Sequence, residues 1–265
     1  MNLPQYETLK LERDGEHVLV ATLNRPQVLN AINTQMGRDL LDLWTRLTAE
    51  AGVVRCVVLT GAGERAFCAG GDLKERDGMT DDAWRAQHEI FERSFMALME
   101  CPLPVIAAVN GHAYGGGLET ALACDFIYAA RVARFALSEV RLGIMPGGGG
   151  TQNLPRAVGE RRAKELILAT RAFGADEGLA WGLVNRVCEP QQLLPETLET
   201  ARTIAENAPL SVRQAKKSIH YGLQTDLLTG YRFEIEAYNR LVTTEDRLEG
   251  VRAFNEKRKP KFTGR

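Results

Sequence analysis

The sequence predicts an α/β protein, and three observations carry that prediction. Residues 53–60 and residues 105–109 form nearly continuous apolar runs, the pattern of strands that a parallel sheet buries on both faces. Glycine-rich segments follow the two runs, at residues 61–72 and 115–117. Stretches with helical periodicity come after each glycine segment. A repeated order of buried strand, glycine turn and helix is typical of the α/β class.

The first 60 residues are expected to form two strands, a helix and a third strand. Residues 6–13 and 17–23 carry alternating and β-branched side chains around the turn dipeptide Asp14-Gly15, so they predict a hairpin. Between positions 36 and 47, apolar residues recur every three or four positions, which predicts a helix that Asn33 or Thr34 would cap. With the buried strand at 53–60, this order predicts a right-handed crossover.

The middle of the chain is expected to repeat this arrangement. After the loop at 61–72, the acidic segment 74–81 is predicted to be mobile, and a helix is predicted from about 82 to 100. A third unit starts with the apolar run at 126–129. It continues into the glycine loop at 147–150 and ends in helical sequence after position 151.

The carboxyl-terminal third is predicted to be mainly helical. Helical patterns occupy 160–169, 175–181, 193–207, 211–221, 227–242 and 245–254, with a short strand at 186–188 and a break at Pro209. A helical end of this length should cap the core or contact other subunits. We therefore divide the chain into a core at 1–190 and a helical region at 191–265, with a hinge near 189–193.

Composition excludes several classes of protein. Apolar residues make up 45% and charged residues 25%, enough for a large core, and a net charge of −1 gives no general attraction to nucleic acid or anionic membrane. No apolar run approaches the roughly 20 residues of a membrane helix. The amino terminus lacks the features of a secretory or transit peptide, and the five cysteines lack CxxC spacing. We expect a soluble cytoplasmic enzyme with reduced thiols.

Two glutamates stand out because each interrupts apolar sequence beside a glycine run. Glu119 lies in GGGLETALA, and Glu139 lies in FALSEVRLGI. A proton acceptor and a proton donor together are what acid–base chemistry on a carbonyl compound needs. The structural alternatives are a carboxylate that stabilises a helix N-terminus for Glu119 and a salt bridge to Arg141 or a neighbour for Glu139.

The glycine turns at Gly70-Gly71 and 115–117 predict an oxyanion hole. Two backbone N–H groups could point at one oxygen there, because no Cβ obstructs them. The alternative is that the glycines only permit tight turns. No Walker A loop is present, and no G-x-G-x-x-G opens a helix with a suitably placed acid, so the pattern favours no phosphate-binding loop.

Three other features have structural interpretations. Cys68 lacks a recognisable partner and is interpreted as a small buried thiol. His112 is interpreted as a turn or core residue, with a place in the pocket wall as the alternative. The basic residues after position 256 are interpreted as a solvated tail, with an anion contact as the alternative. No spacing of histidines, cysteines or carboxylates fits a metal site, so no metal is expected.

Together the motifs resemble the crotonase (enoyl-CoA hydratase/isomerase) superfamily nearly end to end. The segments that carry the resemblance are LNRPQVLNAIN, AFCAGGDLKE, NGHAYGGGLETALACD, FALSEVRLGIMPGGGGTQNLPR and DRLEGVRAFNEKRKPKF. DLKER, PGGGGTQ and DRLEG are especially similar to the branch that includes methylglutaconyl-CoA hydratases. The resemblance implies a crotonase-like spiral of ββα units. It also implies a helical carboxyl-terminal region that mediates trimers, which commonly pair into hexamers.

The resemblance also implies roles for individual residues. It places the oxyanion amides on Gly71 and Gly116, and the hydratase carboxylates on Glu119 and Glu139, the glutamates that the sequence pattern selects. The amide of Gly147 would help to hold the water. The other positions implied to contact coenzyme A are Arg25, Ala69, Asp72, Leu73, Lys74, Phe254 and Lys257, the last two acting on a neighbouring subunit's ligand.

The implied activity is hydration of a 2-enoyl-CoA thioester to a 3-hydroxyacyl-CoA, as in the β-oxidation of fatty acids. Coenzyme A is then part of the substrate, and no bound prosthetic group is implied. Methylglutaconyl-CoA hydration in leucine breakdown and enoyl-CoA isomerisation are the alternatives. The residues leave open the acyl chain length and which glutamate is the base. The pocket wall is expected to involve residues 74–86.

Two rival functions come from other classes. One relative in the methylglutaconyl branch also binds AU-rich RNA through a lysine-rich helix. The corresponding segment here, 34–51, contains Arg38 and Arg46, no lysine, and three acidic residues that offset them. No nucleic-acid partner is therefore expected. The second rival is a catalytically inactive scaffold, which any turnover of crotonyl-CoA would exclude.

Overall fold

The strands follow the order that the apolar runs predict. The computed structural model describes residues 4–265. The strands in that range are β1 (Leu9–Asp14), β2 (Val18–Leu23), β3 (Cys56–Gly61), β4 (Ala66–Cys68), β5 (Val105–Val109), β6 (His112–Tyr114), β7 (Phe126–Ala130), β8 (Arg134–Ala136), β9 (Phe173–Gly174) and β10 (Arg186–Cys188).

The helices confirm the periodic stretches, with two short turns between them. Their bounds are α1 (Thr34–Ala49), α2 (Leu73–Arg76), α3 (Asp81–Met99), α4 (Gly116–Ala123), α5 (Gly150–Val158), α6 (Glu160–Leu168), α7 (Ala175–Ala180), α8 (Leu193–Ala205), α9 (Pro209–Gly222), α10 (Leu227–Val242) and α11 (Glu245–Asn255), and the 3₁₀ turns are Pro26–Val28 and Glu139–Leu142. Of the two candidate caps of α1, Asn33 is the one used, since its side chain accepts the N–H of Met36. Pro209, which was predicted to break the helical pattern, is the first residue of α9. A proline at this position loses no helical hydrogen bond, because the first N–H groups of a helix have no partner within it.

Two sheets organise the chain. The larger has the strand order β1-β2-β3-β5-β7-β10, and within it only β1 and β2 pair antiparallel. The smaller has the order β4-β6-β8-β9, in which β4, β6 and β8 run parallel. Each of β3, β5 and β7 in the large sheet is followed by a short strand of the small sheet, so the chain alternates between the sheets as it winds along them.

β4, β6, β9 and α2 are elements that the sequence did not predict, whereas the short strand β10 lies at the predicted residues 186–188. β4 lies inside the segment predicted as a loop, because three residues are too few to show a period. The acidic segment predicted to be mobile starts as a helix. The side chain of Asp72 accepts the N–H groups of Lys74 and Glu75 and so caps α2.

Both faces of the large sheet are buried, which explains the continuous apolar runs. In β3, Val57 and Leu59 pack into a cluster that contains α1, while Val58 packs on the opposite face. That second cluster includes Leu193 and Ala201 of α8. The division of the chain into a core and a helical region between residues 190 and 191 stays a prediction. α8 belongs to the helical region by that division, and it packs on the large sheet of the core.

The last three helices expose much apolar surface. Leu223, Leu227, Leu228, Tyr238 and Phe254 are all more than three-fifths exposed. α9 and α10 pack on each other, and these side chains, from the end of α9, from α10 and from α11, stay open in the single chain. Among residues 4–265, no helix combines the length and the apolar character that crossing a membrane requires.

Candidate active site

The candidate site lies where the three parallel strands of the small sheet end. β4 leads into Gly70-Gly71, β6 into Gly115-Gly116, and β8 into Ser138-Glu139. Parallel neighbours direct their carboxyl ends to the same edge of a sheet, so these three segments meet there. All of them line one cavity of about 550 Å³.

Glu119 is the most deeply buried carboxylate of the cavity. It lies in the first turn of α4 and is 3% exposed. Its Oε1 atom accepts the N–H of Gly148 at 2.7 Å and that of Gly150 at 2.8 Å. Burial, and after it the charge of Glu139, raise the pKa of Glu119 to about 7 against the opposite effect of these backbone donors. This carboxyl group can therefore change protonation near neutral pH.

The carboxylate of Glu139 has a different environment from that of Glu119. This residue begins the 3₁₀ turn after β8, and within residues 4–265 its two buried carboxylate oxygens have no hydrogen-bond partner. The alternative of an ion pair with Arg141 is wrong, since the structure forms no such contact in this range. Burial raises the pKa of this carboxyl group as well. A Cβ on Gly115 would lie only 3.1 Å from its Oε1 atom, so the glycine makes room for the acid.

The amides of Gly71 and Gly116 lie side by side at the cavity wall. An ideal Cβ on Gly116 would be 3.9 Å from the nitrogen of Gly71. Neither N–H donates to another protein group within residues 4–265, and Gly116 is the first residue of α4, where helical N–H groups have no partner. Gly70 turns the chain here with φ +95, and any Cβ on it would meet the carbonyl oxygen of Tyr114 at 2.8 Å. The two amides are thus free to bind one oxygen.

Three other predicted contact residues also line the cavity. Ala69 and Leu73 flank the Gly70-Gly71 turn, and Leu73 is half exposed at the opening. Gly147 lies opposite, packed so closely on the ring of His88 that a Cβ would approach it to 2.7 Å. The Gly147 N–H also acts to lower the pKa of Glu119.

Arg25 and Asp72 lie behind the cavity wall rather than in it. Arg25 Nη1 lies 2.9 Å from Asp72 Oδ2 and also donates to the carbonyl of Ala31 at 2.6 Å. Both side chains are largely buried, and Asp72 in turn caps α2. This ion pair positions the start of α2 against the loop before α1. Lys74 of that helix is exposed to solvent.

Phe254 and Lys257 lie away from the cavity of their own chain. Phe254 near the end of α11 is 84% exposed, and Lys257 follows the helix in a left-handed conformation with φ 54. The structure does not bring them to Glu119 or Glu139 within one subunit. Their predicted contact with a ligand in a neighbouring subunit stays a prediction.

One face of α3 supplies a wall that sequence reasoning identified only in part. The predicted segment 74–86 contributes Arg76 and Trp84, and the wall continues along α3 with His88, Phe91 and Phe95. Positions 84, 88, 91 and 95 have the spacing of one helical face, so that periodicity was the available signal. The facing wall comes from the loop after Glu139, at Leu142, Ile144, Met145 and Pro146.

Cys68 and His112 have the structural roles that the sequence favoured. Cys68 is fully buried at the end of β4, and burial raises the pKa of its thiol to about 12. His112 stacks on Tyr114 with ring centroids 5.2 Å apart and does not line the cavity.

Comparison with known proteins gives a consistent result. The family model for enoyl-CoA hydratase/isomerase matches residues 13–265. A Bacillus subtilis protein named as a putative enoyl-CoA hydratase/isomerase, YngF, is 46% identical over 250 residues, covering 94% of this chain and 96% of that protein. The short-chain-enoyl-CoA hydratase of Clostridium acetobutylicum is 43% identical, covering 94% of this chain and 95% of its own.

A solved structure extends the likeness to three dimensions. The crystal structure of an enoyl-CoA hydratase from Bacillus anthracis matches with a TM-score of 0.95 at 44% identity, covering 98% of this chain and 100% of that one. The α/β fold predicted from the sequence, with its crotonase-like arrangement, is therefore confirmed. The chain belongs to the enoyl-CoA hydratase/isomerase family.

Proposed function

We propose that this chain is an enoyl-CoA hydratase, which adds water across the 2,3 double bond of a 2-enoyl-CoA thioester to give a 3-hydroxyacyl-CoA. One observation carries the proposal. Two buried carboxyl groups, Glu119 and Glu139, line the same cavity as the amides of Gly71 and Gly116, which donate to no other group among residues 4–265. Hydration needs acid–base groups and a site for negative charge, and this cavity offers both.

The amides of Gly71 and Gly116 bind the thioester oxygen. As water attacks C3, electron density moves onto that oxygen and the thioester becomes enolate-like. The two N–H groups are already in place, so they stabilise the transition state more than the neutral substrate. Loss of one such donor typically costs about 3–4 kcal/mol of transition-state stabilisation.

Glu119 and Glu139 move the protons. Glu119 in its ionised form takes a proton from the water while the oxygen bonds to C3. Glu139 in its protonated form delivers a proton to C2, and exchange with solvent resets the pair. Because the charge of Glu139 raises the pKa of Glu119, the protonation states of the two groups are linked and the two assignments can be exchanged. The amide of Gly147 helps to hold the water.

Coenzyme A enters as part of the substrate, and the proposal needs no prosthetic group or metal. Ala69 and Leu73 line the opening beside the oxyanion amides, where the thioester would continue into the coenzyme moiety. Exposed Lys74 supports a contact with its phosphates.

A trimer or hexamer is the assembly that we propose. The exposed apolar faces of α9, α10 and α11 support it, since such surfaces are typical of subunit interfaces. A cytoplasmic location and the absence of a nucleic-acid partner belong to the same proposal. One of the two arginines of α1, Arg46, is already paired with Asp42 at 2.6 Å.

The direct test is a turnover assay. The purified chain should consume crotonyl-CoA, with loss of the absorbance of the conjugated thioester and formation of the 3-hydroxyacyl product. A parallel assay with a 3-enoyl-CoA separates hydration from isomerisation. Failure to hydrate crotonyl-CoA and longer 2-enoyl thioesters, in protein that is folded by circular dichroism, would refute the proposal.

A further inference from the structure

Residues 29–32, just before α1, run alongside the turn that carries the amide of Gly71. Ile32 and Gly71 form a parallel bridge. The N–H of Ile32 donates to the carbonyl of Gly70 at 2.7 Å, and the carbonyl of Ile32 accepts the N–H of Asp72 at 2.9 Å. In a parallel bridge the bonds of one residue go to the two neighbours of its partner, so the partner's own N–H points to the opposite side. The N–H of Gly71 is therefore directed away from Ile32.

Ile32 also contacts the second oxyanion glycine. Its Cδ1 atom lies 3.6 Å from the position that a Cβ on Gly116 would take. The side chain is 5% exposed and lines the cavity. The backbone of Ile32 thus holds the turn that carries Gly71, while its side chain packs beside Gly116 at the start of α4. One residue spans the two amides.

Two consecutive residues in the left-handed region determine the path of this segment. Leu29 and Asn30 both have φ 56. Asparagine adopts this conformation more readily than most residues, whereas leucine rarely does. The carbonyl of Leu29 accepts the N–H of Ala69 at 3.0 Å, so the unfavourable turn lies where the segment first meets the oxyanion loop. A conformation of this kind persists only where surrounding contacts hold it.

The side chain of Asn30 supplies those contacts. It is fully buried, and its Nδ2 atom donates to the carbonyls of Ala62 at 3.0 Å and Ala66 at 2.9 Å. Its Oδ1 atom accepts the N–H of Arg25 at 3.0 Å. Ala66 is the first residue of β4, the strand that leads into the Gly70-Gly71 turn. Asn30 therefore fixes residues 29–32 to the start of the strand whose end carries the first oxyanion amide.

We propose that Ile32, held in place by Asn30, is the positioning residue that sets the distance between the amides of Gly71 and Gly116. This inference rests on the proposed hydratase function and adds the residues through which its two backbone donors are aligned. Both N–H groups must reach one oxygen. A shift of residues 29–32 should therefore weaken transition-state stabilisation more than it weakens binding of the coenzyme moiety.

The test measures the hydrogen bonds on the thioester oxygen directly. Butyryl-CoA labelled with carbon-13 at its thioester carbonyl has no double bond to hydrate, and hydrogen bonds to that oxygen lower its infrared stretching frequency. The bound carbonyl should absorb at a lower frequency than the ligand in water. Asn30→Gly tolerates the positive φ and removes the three side-chain hydrogen bonds. In this variant the frequency should return toward that of the ligand in water.

Steady-state kinetics with crotonyl-CoA provide the second measurement. In Asn30→Gly, kcat should fall about 10- to 100-fold, because displacing an oriented group by about 1 Å costs on that order. The Kd of butyryl-CoA should change little. Ile32→Val is the milder variant, since it removes only the methyl group that packs beside Gly116, and it should change both quantities in the same direction by less. If Asn30→Gly does not fold, Ile32→Val decides, and an unchanged carbonyl frequency in the folded variants would overturn the inference.

The matched control is Asn33→Ala, in the same loop. The side chain of Asn33 caps α1 by accepting the N–H of Met36, so its loss should lower stability and leave the carbonyl frequency and kcat unchanged. An equal frequency change in Asn33→Ala and Asn30→Gly would reflect general loosening and would refute the positioning role. A protein that lowers the carbonyl frequency through Asn30 and Ile32 but hydrates no 2-enoyl-CoA would refute the hydratase proposal alone.

Discussion

The amide nitrogen of Gly150 lies 2.8 Å from Oε1 of Glu119, and a methyl group on Gly150 would lie 2.9 Å from the same oxygen. The first residue of α5 therefore both holds the carboxylate and has no space for a side chain. Leu137 would meet that methyl group at 2.9 Å as well. The position of the proposed base depends on a glycine that is distant in the sequence.

Gly150→Ala is predicted to move Glu119 and weaken catalysis. The added methyl group should cost about 1–3 kcal/mol in the free energy of unfolding and lower kcat more than it raises KM. Urea unfolding and steady-state kinetics check both effects. Gly250→Ala in α11 is the matched control, because its methyl group would meet only Phe262 at an ordinary distance of 3.6 Å. Equal behaviour of the two variants would contradict the prediction.

Glu119→Gln and Glu139→Gln are each predicted to lower kcat for crotonyl-CoA by about 10²- to 10⁴-fold, because each removes a proton-transfer group. Binding of a saturated acyl-CoA should stay close to that of the unmodified protein, since the oxyanion amides remain. Glu100→Gln, at the exposed end of α3, serves as the control and should retain full activity. If both active-site variants kept substantial turnover, the proposed mechanism would fail.

The pH dependence of activity is predicted from Glu119. Its pKa of about 7 means that the ionised base is depleted as the pH falls below that value. On the acidic side, kcat/KM should then decline by up to about tenfold per pH unit. A pH profile with crotonyl-CoA measures this decline. A profile that stays flat well below pH 7 would exclude Glu119 as the base.

The raised pKa of Glu119 also predicts that stability changes with pH in the direction opposite to activity. Glu119 binds a proton more tightly in the folded state, with a pKa of about 7, than in the unfolded chain, with a value near 4.5. The free energy of unfolding should therefore decrease as the pH rises through this window, by at most about 3 kcal/mol from this group. Relative to the unmodified protein, Glu119→Gln should be stabilised above pH 7 and should lose that advantage near pH 4.5. Urea unfolding across this pH range tests it, and a difference independent of pH would contradict it.

The Arg25–Asp72 pair is predicted to position α2. Arg25→Met leaves Asp72 buried beside the helix it caps without its cation, and should cost about 2–3 kcal/mol in the free energy of unfolding. In the double variant with Asp72→Asn, the buried charge is gone and Asn can still cap the helix, so part of this loss should be recovered. Urea unfolding of the single and double variants gives the coupling. Strictly additive effects would show that the pair is not coupled.

Much of the architecture could be predicted from local pattern. The period of the apolar residues located α1, α3 and the buried strands to within a few residues. Burial on one face requires apolar residues at regular intervals, and burial on both faces requires a continuous apolar run. β4 and β6 were missed because three residues are too few to show a period, although β10, of the same length, lies at the predicted residues 186–188. α2 was missed because a single turn depends on its cap, Asp72, rather than on a repeated pattern.

The sequence by itself determined the fold class, the family resemblance and the pair of glutamates, because residue type and spacing carry that information. Only the tertiary structure decided what surrounds them. It places donors from Gly148 and Gly150 on Glu119 and brings Arg76 beside Gly71. Among residues 4–265 it gives the carboxylate oxygens of Glu139 no hydrogen-bond partner. Those relationships arise where three parallel strands end at one edge. A pKa or an unpaired charge depends on which groups are close in space, and local sequence does not specify that distance.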